Sequence, residues 1–509
     1  MELLENSLVG GLLLRLWLVF NRWYEDSAIH ALMVGLSRWW SRLFRNSSIM
    51  VFVTREGTLP KAWRRSLACA IVETAANLPA ALLHWIYCKL KPVFDNSFFA
   101  LLAFSMGEQV PAAIGWMMLG LLAIPYDHWD NRYSLMGYIL MLLLFLVGGM
   151  RKRSLRLDFK SVGPYAVCFA FAVCLAWPVS YFSALSLRFL FFHITCMLCV
   201  IVTVSAVERP EQLVRLAGMA SLAMAVSSLY AVYQRIDGVD VNYSYVDMVL
   251  NEGMPGRVFA MFDNPNAFAE VLAMLIPLGV ALLLCSRTGW GKLGALVSVG
   301  LGCLAVGMTY CRASWVGLVA AAAVFIFLWK RKLIPACLLF GLLALPVLPD
   351  TIFNRILTIF NFEDSSTSSR FPLYEAALRL IKARPIRGAG LGTDAVRRAV
   401  KDLNLYHGVA PFVHAHDIYL QVWLETGLLG VVSFLATMLS GVKSAAKAVK
   451  AEGCPAPVRL ITIGGAASIV GILVCGIADY IWNYPRVMVL FWFVFAVMLA
   501  GVKLARKSK

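Results

Sequence analysis

HAHDIYLQVWLETGLLGVVSFLATML, residues 414–439, is where a polar, basic segment gives way to an apolar helix. From Ile418 onward the run supplies the roughly 20 residues that a helix needs to cross a hydrocarbon core. Asp417, Gln421 and Glu425 recur at every fourth position and form one polar stripe, while Leu420, Trp423, Leu424 and Leu428 occupy the other faces. A charge at the centre of a bilayer costs at least about 2.5–3.5 kcal/mol, so this stripe must face protein or water and Glu425 needs a partner. A buried network that orients helices would satisfy Gln421 and Glu425 equally well. Two histidines at the lip of the helix, His414 and His416, can exchange protons near neutral pH at a membrane surface.

The rest of the chain repeats this apolar pattern. Of 509 residues, 60% are hydrophobic and 15% charged, and the mean hydropathy is +0.74, which leaves too little polar surface for a soluble globule. The expected fold class is all-α: a polytopic membrane protein with about 12 transmembrane helices and one large, partly helical extracytoplasmic loop. The spans fall near 97–124, 133–150, 163–179, 182–206, 212–233, 259–285, 293–310, 313–329, 333–347, 418–439, 460–476 and 487–502. Glu108, Gln109 and Pro111 interrupt the first, which could instead be a short hairpin. Residues 350–415 form the large loop within a membrane domain covering 96–509. Residues 1–95 differ: Trp, Phe and Leu alternate with Arg15, Arg22, Arg38, Arg42, Arg45, Arg64 and Arg65 at helical spacings, the signature of a basic amphipathic region lying on a membrane. A span around Leu67 to Tyr87 is the alternative there.

The formal charge of +17 does not point to nucleic acid, because the cations sit in short connections on alternate sides of the spans, as topology signals do. Arg151, Lys152, Arg153, Arg156 and Lys160 form one cluster; Lys330, Arg331 and Lys332, then Lys443, Lys447 and Lys450, then Lys503, Arg506, Lys507 and Lys509 form others on the same side. That side is read as cytoplasmic, with both termini, and the large loop faces outward. The 12 cysteines are scattered, mostly within apolar spans, and imply no disulfide framework; Cys196 and Cys199 lack histidine or carboxylate partners in sequence and read as packing residues.

Within the loop, Ser369 precedes an amphipathic stretch with Pro372 in its first turn, a helix start. The glycine-rich turn 387–392 follows, then Thr393 and Asp394 can cap a second helix. The glycines are weak evidence for phosphate binding and fit a tight connection between two helices as well. Further polar groups gather at outward helix ends: Arg257 ahead of Asp263-Asn264-Pro265-Asn266, where Asn266 could cap a helix; Arg312 in a tight turn; Arg370 opening the first loop helix; Asp479 closing a span. A single arginine at a helix end is usually a snorkelling anchor. Several arginines around a histidine are suited to phosphate oxygens, which guanidinium groups hold bidentately.

With these residues the chain resembles the O-antigen ligase and polymerase superfamily of bacterial envelope polysaccharide enzymes. Members carry a histidine followed by a small polar residue, nine residues and then Gly-x-x-Gly; here His416-Asp417 is followed after nine residues by Gly427-Leu428-Leu429-Gly430. Arg257 with Asn264-Pro265-Asn266, Cys311-Arg312-Ala313-Ser314, Arg370, and Pro385 with Gly388 and Gly390 also look like the family. One departure stands out: members usually have Asn, Ser or Gln after the histidine, and Asp417 is a carboxylate that could raise the histidine pKa.

The resemblance implies transfer of a glycan from an undecaprenyl diphosphate-linked donor to an acceptor hydroxyl at the outer face of the bacterial cytoplasmic membrane, without metal or other cofactor and with inversion. With that reaction as the hypothesis, His416, Arg312 and Arg370 are the candidate catalytic residues, and Arg257, Asn266, His414, Asp417, Gln421 and Asp479 are the candidates to line the substrate site. Implied partners are the lipid-linked donor, a glycan, lipid or protein acceptor, membrane lipids and other envelope polysaccharide assembly proteins. Two other classes stay open from the residues alone. A lipid-linked oligosaccharide flippase would spread ionisable groups through the midplane, and a non-catalytic scaffold would not need His416.

Overall fold

The computed structural model describes residues 57–152, 155–241, 253–361, 368–408 and 411–507, with scattered positions between 15 and 39. Most of the first half of the amphipathic region, Arg153, the middle of the Gln234–Arg257 loop and Lys509 therefore lie outside the described residues. From residue 57 on the helices are α1 (Thr58–Trp63), α2 (Leu67–Lys89), α3 (Lys91–Asp95), α4 (Phe98–Glu108), α5 (Val110–Ala123), α6 (Asn131–Arg151) and α7 (Phe159–Val162). Next come α8 (Pro164–Ala176), α9 (Ser183–Ala206), α10 (Pro210–Asp237), α11 (Pro265–Cys285), α12 (Gly289–Met308), α13 (Arg312–Lys330) and α14 (Ile334–Ala344). The large loop contributes α15 (Asp350–Leu357), α16 (Arg370–Ala383) and α17 (Thr393–Asp402), and the chain ends with α18 (Ile418–Ala448), α19 (Ala456–Cys475) and α20 (Pro485–Lys507). No strand occurs among the described residues.

This is an all-α polytopic membrane protein. Among the described residues ten helical stretches are long and apolar enough to cross a membrane, or eleven if α4 and α5, bent 67° to each other, are one span. The bend follows from Gln109 and Pro111, since proline cannot donate a backbone hydrogen bond. Three expected spans have different bounds. The stretch 163–179 holds only the 13-residue helix α8, which starts after Gly163 at φ 91°. The stretches 313–329 and 333–347 read as one helical run, Arg312–Val347, of 36 residues.

Two compact units are present: residues 1–53 with 326–348, and residues 54–325 with 349–509. In the first, α14 begins with Pro335 in its opening turn, where the missing N–H costs nothing. In the second, α20 is apolar on every face and fully surrounded by other helices. Its two ends are held by buried cations on backbone carbonyls. Lys503 Nζ donates to Val204 O and Ser205 O at 2.5 and 3.2 Å, at the carboxyl end of α9 where a cation meets unpaired carbonyls. At the other end Arg486 donates to Leu121 O, Ile124 O and Met261 O, with its guanidinium 4.7 Å from the Phe262 ring. The second contact joins α5 to the segment 257–264, which carries part of the site.

The loop helices pack over a small core of their own, built from Leu373, Ala377, Leu380 and Ile381 of α16, Val396 and Val400 of α17, and Phe412. The glycine-rich turn between them is wedged against the membrane helices. Ala389 N donates to Leu424 O at 2.6 Å, and Ala389 O accepts from Tyr181 N and from Ser180 Oγ. Gly427, at φ 67°, breaks the helical path of α18 at this point, and a Cβ on it would lie 2.0 Å from Ile386 O. The motif glycine is thus required by the close approach of two backbones.

Candidate active site

The end of α19 is the hub on which the site is assembled. Gly476 O accepts from Ile418 N, the first residue of α18, at 2.8 Å. Ser314 Oγ, in the first turn of α13, lies 3.7 Å from Cys475 Sγ. Three residues on, Asp479 reaches two further elements: its Oδ1 faces His416 Nδ1 at 3.2 Å, and its Oδ2 accepts from Asn266 Nδ2 at 3.2 Å. Tyr480 N also donates to Oδ1. Burial alone would push the Asp479 carboxyl up, but the His416 hydrogen bond, the His416 charge and the Arg370 charge outweigh it and hold the group well below the usual carboxylate range.

Asn266 extends the chain of contacts to Arg257, whose Nη2 donates to Asn266 Oδ1 at 2.5 Å while its Nε donates to Thr309 O at 2.6 Å. Asn266 was expected to cap α11. The structure corrects this: Asn264 is the cap, accepting from Asn266 N at 2.7 Å with Pro265 in the first turn, and that leaves the Asn266 side chain for the site. An unbroken line of contacts therefore runs Arg257, Asn266, Asp479, His416 across three parts of the chain.

His416 sits at φ 46°, a left-handed conformation that non-glycine residues rarely adopt. Ala260 at φ 49° and Tyr310 at φ 51° flank the neighbouring arginines in the same way. Such strain persists only where the surroundings hold it, and it clusters at functional sites. The hold on the histidine loop is visible: His416 N donates to His414 Nδ1 at 3.2 Å, Ala415 N donates to Gln421 Oε1 at 3.0 Å, and Tyr374 OH donates to His416 O at 3.4 Å. The His416 side chain stays 31% exposed. With Nδ1 turned to Asp479, Nε2 is the nitrogen left for a ligand. His414 differs: burial, then the charge of His416, pushes its pKa down to about 3, so it is neutral and accepts the His416 amide.

Asp417, Gln421 and Glu425 have hydrogen-bond partners within the protein. Asp417 accepts from Leu420 N at 2.7 Å as the N-cap of α18, so the carboxylate that meets His416 is Asp479, and burial raises the Asp417 pKa. Gln421 is wholly buried and donates to Glu425 Oε1 at 2.8 Å; Tyr480 OH donates to the same oxygen at 2.9 Å. These bonds place Gln421 behind the site as a support for the histidine loop. The glycine-rich turn likewise gives the amide of Ala389 to Leu424 and that of Gly388 to Arg384, and it works as a tight connection. Ser369 and Thr393 make no capping bond: Ser369 stands at the N-cap of α16 with its side chain uninvolved, and Gly392 holds that position for α17.

Arg370 opens α16 beside the site, where its charge acts on Asp479 and His414. Arg312 donates through Nη1 to Thr358 O and Oγ1 at 2.7 and 3.2 Å. Next to it lies Arg355, 4% exposed, its Nε 3.5 Å from Tyr310 O. Sequence reading missed Arg355, though α15 offers a signal in the apolar spacing of Ile352, Phe353, Ile356 and Leu357 around that cation. The ligand atoms of His414, His416 and Asp479 all lie within 4.8 Å of one another, close enough to embrace a metal ion. The neighbouring guanidinium groups of Arg257 and Arg370 suit an anion better.

Residues 296–435, from α12 through the large loop to the first half of α18, match the family described as O-antigen ligase. Over that stretch the match supports the resemblance to the O-antigen ligase and polymerase superfamily. The matched stretch contains Arg312, Arg370 and His416, while Arg257, Asn266 and Asp479 lie outside it. The chain is also similar to an uncharacterized protein of Haemophilus influenzae, 28% identical over 163 residues; that alignment covers 28% of this chain and 41% of the relative's length. O-antigen ligase-type glycan transfer is the activity class that goes with the family.

Proposed function

We propose that the protein transfers a glycan from an undecaprenyl diphosphate carrier to an acceptor hydroxyl at the outer face of the bacterial cytoplasmic membrane. The observation that carries this reading is the line Arg257, Asn266, Asp479, His416, which ends on a partly exposed imidazole. His416 Nε2 takes the proton of the acceptor hydroxyl as its oxygen attacks the anomeric carbon. The bond from that carbon to the diphosphate oxygen breaks, its electron pair leaves with the diphosphate, and direct displacement inverts the centre. Asp479 fixes the histidine tautomer and stabilises the imidazolium that forms. Arg370 and Arg312, with Arg257, face the charge that grows on the departing diphosphate.

In this reading Asp417 and Gln421 act through the histidine loop, and His414 is a neutral positioning residue. The test is to incorporate purified protein into vesicles, supply defined undecaprenyl diphosphate glycans with lipid-linked, lipid-core and protein acceptors, and size the products. A ladder identifies a polymerase and a single addition identifies a ligase. Recovery of intact donor with every acceptor class overturns the proposal.

A further inference from the structure

Helix α2, Leu67–Lys89, is long and apolar enough to cross a membrane, yet its contacts run along a connection that belongs to one membrane face. The segment after Lys152 links the end of α6, a candidate span, to α7 and the shorter apolar helix α8, which turns back into the bundle against α18, so both ends of the segment are read as lying at one surface. Glu73 of α2 meets the far end, pairing with Lys160 Nζ at 3.0 Å and accepting from Lys160 N. Asn77 forms a two-way pair with Leu157, donating to its carbonyl at 3.1 Å and accepting from its amide at 2.8 Å. His84 Nδ1 lies 2.7 Å from Met150 O, in the last turn of α6. Glu73 and His84 are roughly 16 Å apart along the helix axis. A helix that touches the end of α6 and the start of α7 at points so far apart along its axis lies along that surface.

Its faces are reversed relative to a soluble helix. Glu73, Asn77 and His84 point at the protein, while Leu67, Ile71, Leu78, Leu82 and Trp85 form one outward stripe, each more than half exposed. Exposed cations stand at both ends, Lys61 and Arg65 before the helix and Lys89 and Lys91 after it. An apolar stripe flanked by cations matches an interfacial helix on an anionic leaflet.

We infer that α2 reclines in the leaflet at the face of Arg151, Lys152, Arg156 and Lys160, its outward stripe among acyl chains and its flanking cations on anionic phospholipid headgroups. The inference is independent of the proposed transfer reaction. An azide-bearing amino acid placed at Arg65 or at Lys91 of the full chain, in phosphatidylethanolamine–phosphatidylglycerol vesicles of uniform protein orientation, is challenged with a membrane-impermeant cyclooctyne. Both positions are expected to react from the same side; reaction from opposite sides makes α2 a span and overturns the inference. The same amino acid at Ile71, Leu78 and Leu82, coupled to a nitroxide cyclooctyne, reads depth. Similar, shallow depths with strong relaxation by oxygen and weak relaxation by a water-soluble nickel chelate are expected. Strong relaxation by the chelate, or by neither agent as when a second copy covers the stripe, removes lipid as the partner.

Discussion

His416 Nδ1 and Asp479 Oδ1 lie 3.2 Å apart, joining the start of α18 to the turn after α19 although 63 residues separate them in sequence. The carboxylate is 10% exposed and the imidazole 31%, so the pair has a buried acceptor and an open donor ring. An orienting carboxylate of this kind fixes which ring nitrogen faces the substrate.

Replacing Asp479 with Asn keeps the shape but removes the charge, so the imidazolium loses its stabiliser. Turnover should fall by about 10²- to 10⁴-fold with the donor KM little changed. Single-turnover and steady-state assays on Asp479→Asn separate the two. A rise in KM alone would place Asp479 in ground-state binding.

Arg257→Lys removes the fork that joins Thr309 O to Asn266. A charge-assisted hydrogen bond contributes about 1.5–3 kcal/mol, so kcat/KM should drop by about 10- to 100-fold. Full activity in the lysine variant would reduce Arg257 to an anchoring charge.

Gly427→Ala forces a side chain into the left-handed position against Ile386 O. The cost is about 1–3 kcal/mol, and it should appear as a lower Tm and faster proteolysis within the loop. Gly300→Ala, inside α12 where a Cβ meets open space, is the control and should not lower Tm or speed proteolysis, since alanine favours a helix over glycine.

His414 has a folded pKa of about 3 against 6.5 for the free side chain. Between these values the unfolded chain binds a proton that the folded one refuses, so stability is lost as pH falls below about 6.5 and the loss grows toward pH 3. Tm measured from pH 7 to pH 4.5 should decline, and the slope should be shallower in His414→Gln. An unchanged slope would mean that other groups set the pH dependence.

The membrane class and most helix positions were legible because apolar runs are local signals, and a spaced motif singled out His416 as a candidate. The partner of His416 was not: Asp417 is adjacent in sequence, but its carboxylate is engaged by the first amides of its own helix, and Asp479 arrives through the fold. Asn266 was misread as a cap for a similar reason, because Asn264 two residues earlier could do the same work and left Asn266 free to bridge Arg257 and Asp479. The glycines of the 387–392 turn are weak evidence for an anion cradle and favour a tight connection between two helices, and the amides of Gly388 and Ala389 are engaged within the protein. Arg355 carried only the weak signal of the apolar spacing around it, and its place beside Tyr310 comes from the fold.

The most direct measurement is the transfer rate of His416→Ala in vesicles supplied with an undecaprenyl diphosphate glycan and its acceptor, alongside binding of the carrier itself. Loss of about 10²- to 10⁴-fold in product formation with near-normal carrier binding is the result expected of a missing general base. Product at the wild-type rate would contradict the role given to this histidine.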